Sequence, residues 1–498
     1  MLALALITLA FLQPAQPPQP PQPPPSPPAI TAPSTFPNSL KGKWKGAIDL
    51  PGGNSLPFIL TVTAADAATI AIPLQNLPDT PLSAVAISAE EMKFSLNIPG
   101  APAAASPVFD LKLQADGSAK GTMAQNGLTL ATTATHMAEG ETGAPNRPQT
   151  PKGPFPYTTR EVSYESFDGA AINGTLTIPP LPDASKQPKV PCVLFITGSG
   201  TQDRDETLFA HKPFAVIADA LARAGIASLR VDDRGWNGAK NPAGLDATSE
   251  TFGMDVACGL DFLARQPEID ARHIGLIGHS EGGLIAPAVA ATKPEAVSFI
   301  VLMAGPGVTG REILERQLVA IMKAQSVDDA HISRASERQK RLLAAVAGGD
   351  QSAARQAVRE GMQENDPNGS MQGKALEDAT DMAMKQMDSS WMRHFLTRDP
   401  RADLRKTRCP VLILNGGKDT QVLAEQNVPE VVKALLESGN TAVTARVFPN
   451  LNHLFQSVGD KGTGGVNEYA QIETTIDPEA LDFIVSWTRL AAKLPNSK

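Results

Sequence analysis

A glycine-rich pentapeptide near the middle of the chain, Gly278-His279-Ser280-Glu281-Gly282, has the G-x-S-x-G spacing of a serine nucleophile. It lies between a strand-like apolar run, HIGLIG, and a helix-like run, EGGLIAPAVAATK. A nucleophilic hydroxyl is presented on a sharp strand-to-helix turn, where side chains two positions away on either side would collide with neighbouring backbone. The helix amino terminus then directs N–H groups towards developing negative charge. The motif therefore predicts covalent catalysis by Ser280.

Two further residues follow in the order that such a serine requires. The apolar run VLILNGGKD ends on Asp419, and the loop after the next predicted strand, ARVFPNLNHLF, contains His453. His453 is predicted to accept the Ser280 proton and return it to the leaving group, while Asp419 fixes the tautomer of the imidazole. Taken singly, each residue is equally typical of a surface carboxylate or a packed loop histidine. The three together predict a Ser-His-Asp triad.

An oxyanion hole needs two donors, and the sequence offers two backbone N–H groups. The first belongs to Glu281, directly after the nucleophile, and the second is predicted at Ser199 in the loop Thr197-Gly198-Ser199-Gly200 that follows the strand-like run VLFI. The same loop is a weak candidate for a dinucleotide cradle, because the third glycine of that fingerprint is absent.

Polar residues cluster after two predicted strands, at the edge of the sheet where sites in such folds form. The first cluster is Gln202-Asp203-Arg204-Asp205-Glu206, and the second is Asp232-Asp233-Arg234-Gly235. Ion pairs that shape the loops are favoured over direct contact with a substrate. We therefore predict that Asp203, Arg204, Asp205, Asp233 and Arg234 shape the site.

Alternating strand-like and helix-like runs indicate an α/β domain over residues 157–305 and 405–498. Its strands are continuous Val/Ile/Leu runs, the pattern of a mostly parallel sheet covered by helices on both faces. Residues 306–404 interrupt this alternation, with helical periodicity in REILERQLVAIMKAQ and RASERQKRLLAAVA. They predict an inserted helical cap, whose methionines either line an apolar pocket or pack within the cap.

Residues 39–138 alternate short β-type runs with turn signals, such as the hairpin signature Asp116-Gly117. They predict a small all-β domain, either a sandwich or a barrel. Twelve prolines lie between Pro14 and Pro37, so residues 16–38 predict an extended spacer. The apolar run LALALITLAFL in residues 1–15 is typical of a secretory signal, so we expect an exported protein, periplasmic or secreted.

Composition excludes several classes of function. The chain has 44 basic and 52 acidic residues and a net charge of −8, without a basic block, so no nucleic-acid partner is expected. The eleven-residue apolar run is too short to span a bilayer, and no integral membrane span is expected. Three cysteines and seven histidines lack the spacing of metal ligands, so no metal site is predicted.

Several segments together resemble the bacterial α/β-hydrolase carboxylesterases related to the serine-aminopeptidase-type hydrolases: GSGTQDRDE, DDRG, IGLIGHSEGGLIAP and NHLFQ. The resemblance runs from Tyr157 to the end of the chain, and the β-rich amino-terminal domain also matches an arrangement found in some of those esterases. It implies an α/β-hydrolase fold, the triad Ser280, Asp419 and His453, and no cofactor. One departure is Trp236, which stands where many relatives have a small residue and is expected to narrow the acyl pocket.

The leading interpretation is a serine carboxylesterase that hydrolyses small to medium acyl esters. A peptidase or amidase with the same triad is the alternative, with Glu364 or Glu377 available to anchor a charged substrate terminus. A third hypothesis is an envelope- or glycan-binding protein in which the β domain binds and the hydrolase activity is secondary.

Overall fold

The computed structural model describes residues 36–49, 55–75, 77–97, 106–125, 128–138, 141, 143, 145–181, 189–364 and 372–494. The chain divides into two compact units. The smaller unit extends up to Arg147 and also includes Leu208–Ala210. The larger unit contains Pro148–Thr207 and His211–Lys498. The predicted export signal lies outside the described residues, as does almost all of the proline-rich spacer, and both stay predictions.

The smaller unit is one nine-stranded antiparallel sheet in the order β4-β3-β2-β1-β9-β8-β7-β6-β5. Its strands are Gly42–Asp49 (β1), Ser55–Ala64 (β2), Ala67–Ile72 (β3), Leu77–Pro81 (β4), Ser83–Ile87 (β5), Glu91–Ser95 (β6), Val108–Leu113 (β7), Ala119–Gln125 (β8) and Leu128–His136 (β9). Only Leu82 separates β4 from β5, although these strands stand at opposite ends of the order. The sheet must therefore curl until its ends meet, which is a barrel and not a sandwich.

The inner face of this sheet carries large apolar side chains. Trp44, Phe58, Phe94 and Phe109 are almost completely buried, and alternate positions along β7 point outwards. The predicted hairpin at Asp116-Gly117 joins β7 to β8, where the Asp116 carboxylate accepts the Ser118 N–H (2.9 Å). Alternation of buried and exposed positions therefore specifies the β-rich unit, as the sequence predicted.

The larger unit contains an eight-stranded sheet in the order β10-β11-β13-β12-β14-β15-β16-β17. Its strands are Thr158–Glu165 (β10), Ala171–Ile178 (β11), Val190–Ile196 (β12), Ala227–Val231 (β13), Ile269–His279 (β14), Phe299–Met303 (β15), Val411–Gly416 (β16) and Val443–Phe448 (β17). The pairs β10-β11 and β11-β13 are antiparallel, and every other pair is parallel. Every residue of β12, β15 and β16 is buried, which explains their continuous apolar sequences.

Helices connect these strands and cover the sheet. They are Pro213–Arg223 (α1), Ser249–Ala264 (α2), Glu281–Thr292 (α3), Gly310–Ala324 (α4), Asp329–Gly348 (α5), Gln351–Glu364 (α6), Gly373–Met387 (α7), Ser390–Thr397 (α8), Arg401–Leu404 (α9), Ala424–Glu437 (α10), Val466–Tyr469 (α11) and Pro478–Ala491 (α12). A mostly parallel sheet with helical connections, preceded by an all-β unit, is the fold class predicted from the sequence. No helix in the described part of the chain has the length and hydropathy needed to cross a membrane.

The helices α4 to α9 form an insertion between β15 and β16, which we call the helical insertion. Its first helix starts with a capping box in which Thr309 Oγ1 and the Glu312 carboxylate each accept the other residue's backbone N–H. Met384, Met387 and Met392 are buried in the insertion's own apolar cluster. These methionines therefore contribute to ordinary helix packing, while Met371 lies outside the described residues.

Candidate active site

The predicted nucleophile lies on a one-residue turn between β14 and α3. Ser280 has φ 53° and ψ −116°, a strained backbone conformation for a residue with a Cβ. A Cβ at Gly278 would lie 2.1 Å from the Gly282 carbonyl oxygen, and one at Gly282 would lie 2.2 Å from the Ile196 carbonyl oxygen. Both glycines are therefore required by close backbone approach. The turn has the geometry that the G-x-S-x-G spacing predicts.

The hydroxyl of Ser280 is buried but available. The residue is 3% exposed, and its Oγ has no hydrogen-bond partner among the residues that the structure describes. The Ser280 backbone is fixed by its N–H, which donates to the Met303 carbonyl on β15 (2.8 Å). Since buried polar groups are normally paired, an unpaired hydroxyl on a strained turn indicates a functional group and not a structural one.

Asp419 and His453 are hydrogen-bonded to each other, with 2.8 Å between His453 Nδ1 and Asp419 Oδ2. Asp419 follows β16, and its other oxygen accepts the N–H groups of Gln421 (2.8 Å) and Val422 (2.9 Å). The Asn415 amide donates to Oδ2 (3.2 Å). Four donors therefore fix this carboxylate in one orientation before any substrate binds.

The loop after β17 presents His453 and is held by the buried Asn452. The Asn452 side-chain oxygen accepts the N–H groups of Leu454 and Gln456, both at 3.0 Å. Burial lowers the pKa of His453, and the His279 side chain adds to this effect, against the opposing influence of Asp419 and Glu206. His453 is therefore neutral at pH 7 and able to accept a proton.

The loop predicted to supply the second oxyanion donor lies against the predicted nucleophile, Ser280. A Cβ at Gly198 would be 3.3 Å from the Ser280 Cβ, and Ser199 is the next residue in this loop. The Gly198 N–H donates to the buried Glu206 carboxylate (2.6 Å) and is therefore already engaged. The Glu281 N–H is at the first position of α3, where an N–H has no acceptor within its helix.

The first polar cluster pairs with other protein groups. Asp203 accepts the Thr207 N–H (2.8 Å) and hydroxyl (2.6 Å), which closes the loop after β12. Arg204 pairs with Asp232 (2.6 Å), and Asp205 pairs with Lys212 (3.1 Å) and with Arg230, which follows on β13. These contacts hold the loop that carries Glu206.

The second cluster is paired in the same way. Asp233 accepts the Thr197 hydroxyl and the Gln202 N–H, both at 2.8 Å, and loss of hydration raises its pKa well above the usual range. Arg234 is fully buried between Asp255 (2.6 Å) and Asp168 (2.8 Å). The two clusters thus connect the loop predicted to supply the second oxyanion donor to the neighbouring strands.

The structure places Trp236 at the surface of the larger unit. It lines an open polar groove of about 810 Å³ together with Arg204, Asp232 and Asn237. The expectation that Trp236 narrows an acyl pocket therefore has no support from its position.

Three residues next to the predicted site have no individual role predicted from the sequence: Glu206, His279 and Trp391. Glu206 and His279 form a buried pair, and His279 Nε2 contacts the carbonyl oxygen of the predicted triad histidine, His453. Trp391, on helix α8 of the helical insertion, donates its indole N–H to the Glu281 carboxylate (2.8 Å), which also accepts the Ser249 hydroxyl. No sequence spacing joins these partners, which are 73, 110 and 174 residues apart.

Replacing Trp391 with phenylalanine is expected to loosen the helical insertion at the nucleophile turn. The ring still stacks on Phe395, but the buried Glu281 carboxylate loses one of its two side-chain donors. A hydrogen bond to a charged group is worth about 1.5–3 kcal/mol. Chemical denaturation at pH 7 measures this decrease in the free energy of unfolding.

Trp487→Phe is the matched control for that substitution. Its indole donates to the neutral Thr444 hydroxyl (3.1 Å), so the expected decrease is only about 0.5–1.5 kcal/mol. Equal decreases for the two variants contradict an anchoring role for Trp391.

Comparisons with known proteins identify the family of this chain. Residues 168–453, more than half of the chain, match the family model described as X-Pro dipeptidyl-peptidase (S15 family). Esterase EstD of Thermotoga maritima is 26% identical over 330 residues, which cover 66% of this chain and 68% of that protein.

Two solved structures are also similar. The Pyrococcus furiosus esterase Pf2001 is 13% identical, with 67% of this chain and 93% of that chain covered and a TM-score of 0.39. The α/β hydrolase GrgF from Penicillium sp. sh18 is 15% identical, with 68% and 100% covered and a TM-score of 0.42.

The predicted relationship to α/β-hydrolase enzymes is therefore confirmed. The family match includes the G-x-S-x-G turn and reaches His453, and the chain's own sheet has the expected parallel core. The chain belongs to the X-Pro dipeptidyl-peptidase family, S15, and is a serine hydrolase with the α/β-hydrolase fold.

Proposed function

We propose that this protein is a carboxylesterase that hydrolyses small to medium acyl esters through an acyl-enzyme on Ser280. The observation that carries the proposal is the 2.8 Å bond between His453 Nδ1 and Asp419 Oδ2, taken together with a buried, unpaired Ser280 hydroxyl on a strained turn. The similarity to an esterase of Thermotoga maritima supports the choice of ester substrates.

The reaction begins when Ser280 Oγ attacks the ester carbonyl carbon and its proton passes to His453 Nε2. The carbonyl oxygen becomes an oxyanion, which the Glu281 N–H and a donor from the loop at Ser199 stabilise. His453 then returns the proton to the alcohol oxygen as the carbon–oxygen bond breaks. A water molecule, deprotonated by His453, attacks the acyl-enzyme in the same way and releases the carboxylic acid.

The helical insertion is proposed to act as a cap over the acyl group. Its helix α8 is bonded to the residue that follows the nucleophile, through Trp391 and Glu281 (2.8 Å). Excluding water from the site strengthens the electrostatic interactions that stabilise the oxyanion.

A peptidase or amidase is the second candidate, because the family match carries a dipeptidyl-peptidase description. Glu364 and Glu377 were the acidic residues available to anchor a charged amino terminus. Glu364 is paired with Arg334 and Arg338, and Glu377 with two arginines of α6. Because arginine already neutralises both carboxylates, neither is available to bind an ammonium group, which favours the ester substrate.

Parallel kinetics on esters and amides test this choice. We expect kcat/KM for p-nitrophenyl butyrate to exceed that for glycyl-prolyl-p-nitroanilide by at least about 10²-fold, because amides need stronger protonation of the leaving group. A p-nitrophenyl series from acetate to dodecanoate measures the acyl length, and a fluorophosphonate probe should modify Ser280. Faster cleavage of the prolyl amide than of every ester overturns the esterase proposal in favour of a peptidase.

A further inference from the structure

A second imidazole–carboxylate pair lies directly behind the proposed triad. His279 Nδ1 is 2.9 Å from Glu206 Oε1, and both side chains are almost completely removed from solvent, at 5% and 1% exposed. His279 immediately precedes Ser280, while Glu206 lies in the loop after β12. Burying a pair of ionisable side chains costs desolvation free energy unless their charges and hydrogen bonds are satisfied. The contacts that satisfy this pair therefore indicate its role.

Each member of the pair is bonded to a different part of the catalytic machinery. Glu206 Oε1 accepts the Gly198 N–H (2.6 Å), in the loop that lies against Ser280. His279 Nε2 is 3.0 Å from the His453 carbonyl oxygen, and the two imidazole rings are 4.8 Å apart. One continuous chain of hydrogen bonds thus joins the oxyanion loop, the residue before the nucleophile and the general base.

The backbone at Glu206 is strained in a way that keeps its carboxylate in place. Glu206 has φ 52°, a left-handed conformation that residues with a Cβ rarely adopt. A turn holds it there, with the Glu206 N–H donating to the Asp203 carbonyl (2.9 Å), and Asp203 is itself bonded to Thr207. Strain of this kind persists only where the surrounding structure enforces it.

We propose that Glu206 and His279 are positioning residues for the proposed ester hydrolysis. They fix the position of the oxyanion loop relative to that of His453, with Ser280 between the two. This inference rests on the proposed function of the triad. It assigns no substrate contact to either residue: Glu206 acts through Gly198, and His279 acts through the backbone of His453.

The pair also has an electrostatic effect on the general base. Both His279 nitrogens face acceptors, which favours a cationic ring. Burial by itself would lower the pKa of His279, but the Glu206 charge and hydrogen bond, with the His453 carbonyl and Asp419, raise it overall. The charged groups that face His453 are therefore Asp419, Glu206 and the His279 cation, and the cation contributes to the lowered pKa of His453.

Steady-state kinetics of four variants on p-nitrophenyl butyrate test the proposal. Glu206→Ala frees Gly198 and is expected to lower kcat about 10²-fold with KM changed less than about 3-fold, because misplacement by about 1 Å has this effect on catalysis. Glu206→Gln can still accept the Gly198 N–H and is expected to recover part of that loss. Groups that act as a unit are not additive, so Glu206→Ala combined with His279→Asn should lose little more than Glu206→Ala alone.

The pH dependence of kcat/KM distinguishes a positioning role from a purely structural one, because loss of stability alone does not shift its acid limb. His453 must be neutral to act as base, so kcat/KM falls as the pH drops through its pKa. His279→Asn removes the neighbouring cation, which lowers the pKa of His453, and keeps the Glu206 carboxylate, which raises it. The substitution therefore raises the pKa of His453. The acid limb of kcat/KM is therefore expected to move to higher pH.

His273→Asn is the control. His273 lies on β14 six residues before His279, and its Nδ1 is likewise paired with a carboxylate, at 3.0 Å from Asp270 Oδ2, so its replacement tests the loss of an imidazole–carboxylate pair away from the proposed triad. We expect a lower melting temperature without a shift of the acid limb. If Glu206→Ala does not fold, Glu206→Gln and His279→Asn decide the question.

The outcomes separate the two proposals. Wild-type kcat in both Glu206→Gln and His279→Asn, with an unmoved acid limb and with hydrolysis still dependent on Ser280, overturns the positioning role and leaves the esterase intact. Ester hydrolysis that does not depend on Ser280 overturns the proposed function itself.

Discussion

Ser280→Ala is expected to lower kcat for p-nitrophenyl butyrate on the order of 10⁶-fold, the loss typical of removing a serine nucleophile. The substitution deletes a hydroxyl that has no bonding partner in the described structure, so the fold loses no contact with it. Alanine keeps the Cβ at the strained turn, and the Ser280 N–H bond to Met303 remains possible. Activity should therefore disappear while the melting temperature stays within about 1–2 °C, since removing an unpaired hydroxyl changes little.

Ser228→Ala provides the control for this substitution. Ser228 is also fully buried in the same sheet, on β13, and its Oγ likewise has no partner among the described residues. Wild-type activity is expected, because this hydroxyl is on a strand and not on the nucleophile turn. Residual Ser280→Ala activity above about 1% of wild type, after removal of contaminating host esterases, is incompatible with an acyl-enzyme on Ser280.

Sequence patterns were sufficient to predict the parallel core of the larger unit, because its strands are buried on both faces and appear as continuous apolar runs. The same patterns did not predict the first two strands of this unit, β10 and β11. Six of the eight residues of β10 are exposed, so its sequence, TTREVSYE, carries no apolar run. The hairpin that follows has a usable signal, Asp168-Gly169, where Gly169 has φ 83° and the Asp168 carboxylate accepts the Ala170 N–H.

In the candidate site, too, the residues that belong to a local sequence motif were predictable, and those whose partners are distant in sequence were not. The G-x-S-x-G turn is encoded within five residues, and the acid and histidine follow strands in a fixed chain order. Glu206, His279 and Trp391 were not assigned, because their roles depend on which loops the sheet brings together. A buried histidine next to a nucleophile has the same local sequence whether its ring packs against apolar side chains or joins a carboxylate to the general base.

Asp419→Asn is the second substitution with a large expected effect, a decrease in kcat on the order of 10⁴-fold. Asp419 Oδ1 accepts two backbone N–H groups, from Gln421 and Val422, so the asparagine oxygen must occupy that position. Its amide nitrogen then faces His453 Nδ1 and can only donate to it. This stabilises the tautomer with the proton on Nε2, which cannot accept the Ser280 proton.

The asparagine nitrogen would also face the Asn415 amide, which donates to Asp419 Oδ2 in the wild type (3.2 Å), so a modest loss of stability is expected. Asp403→Asn is the control: Asp403 is similarly buried and is paired with Arg398 on the helical insertion, away from His453. It should lose stability while kcat stays within about 3-fold of wild type, as expected for a residue that takes no part in the reaction. The two substitutions remove the same charge, so a kcat for Asp419→Asn no lower than that for Asp403→Asn contradicts the assignment of Asp419 to the triad. A large difference between them locates the effect at the bond between Asp419 and His453, where the asparagine reverses the tautomer.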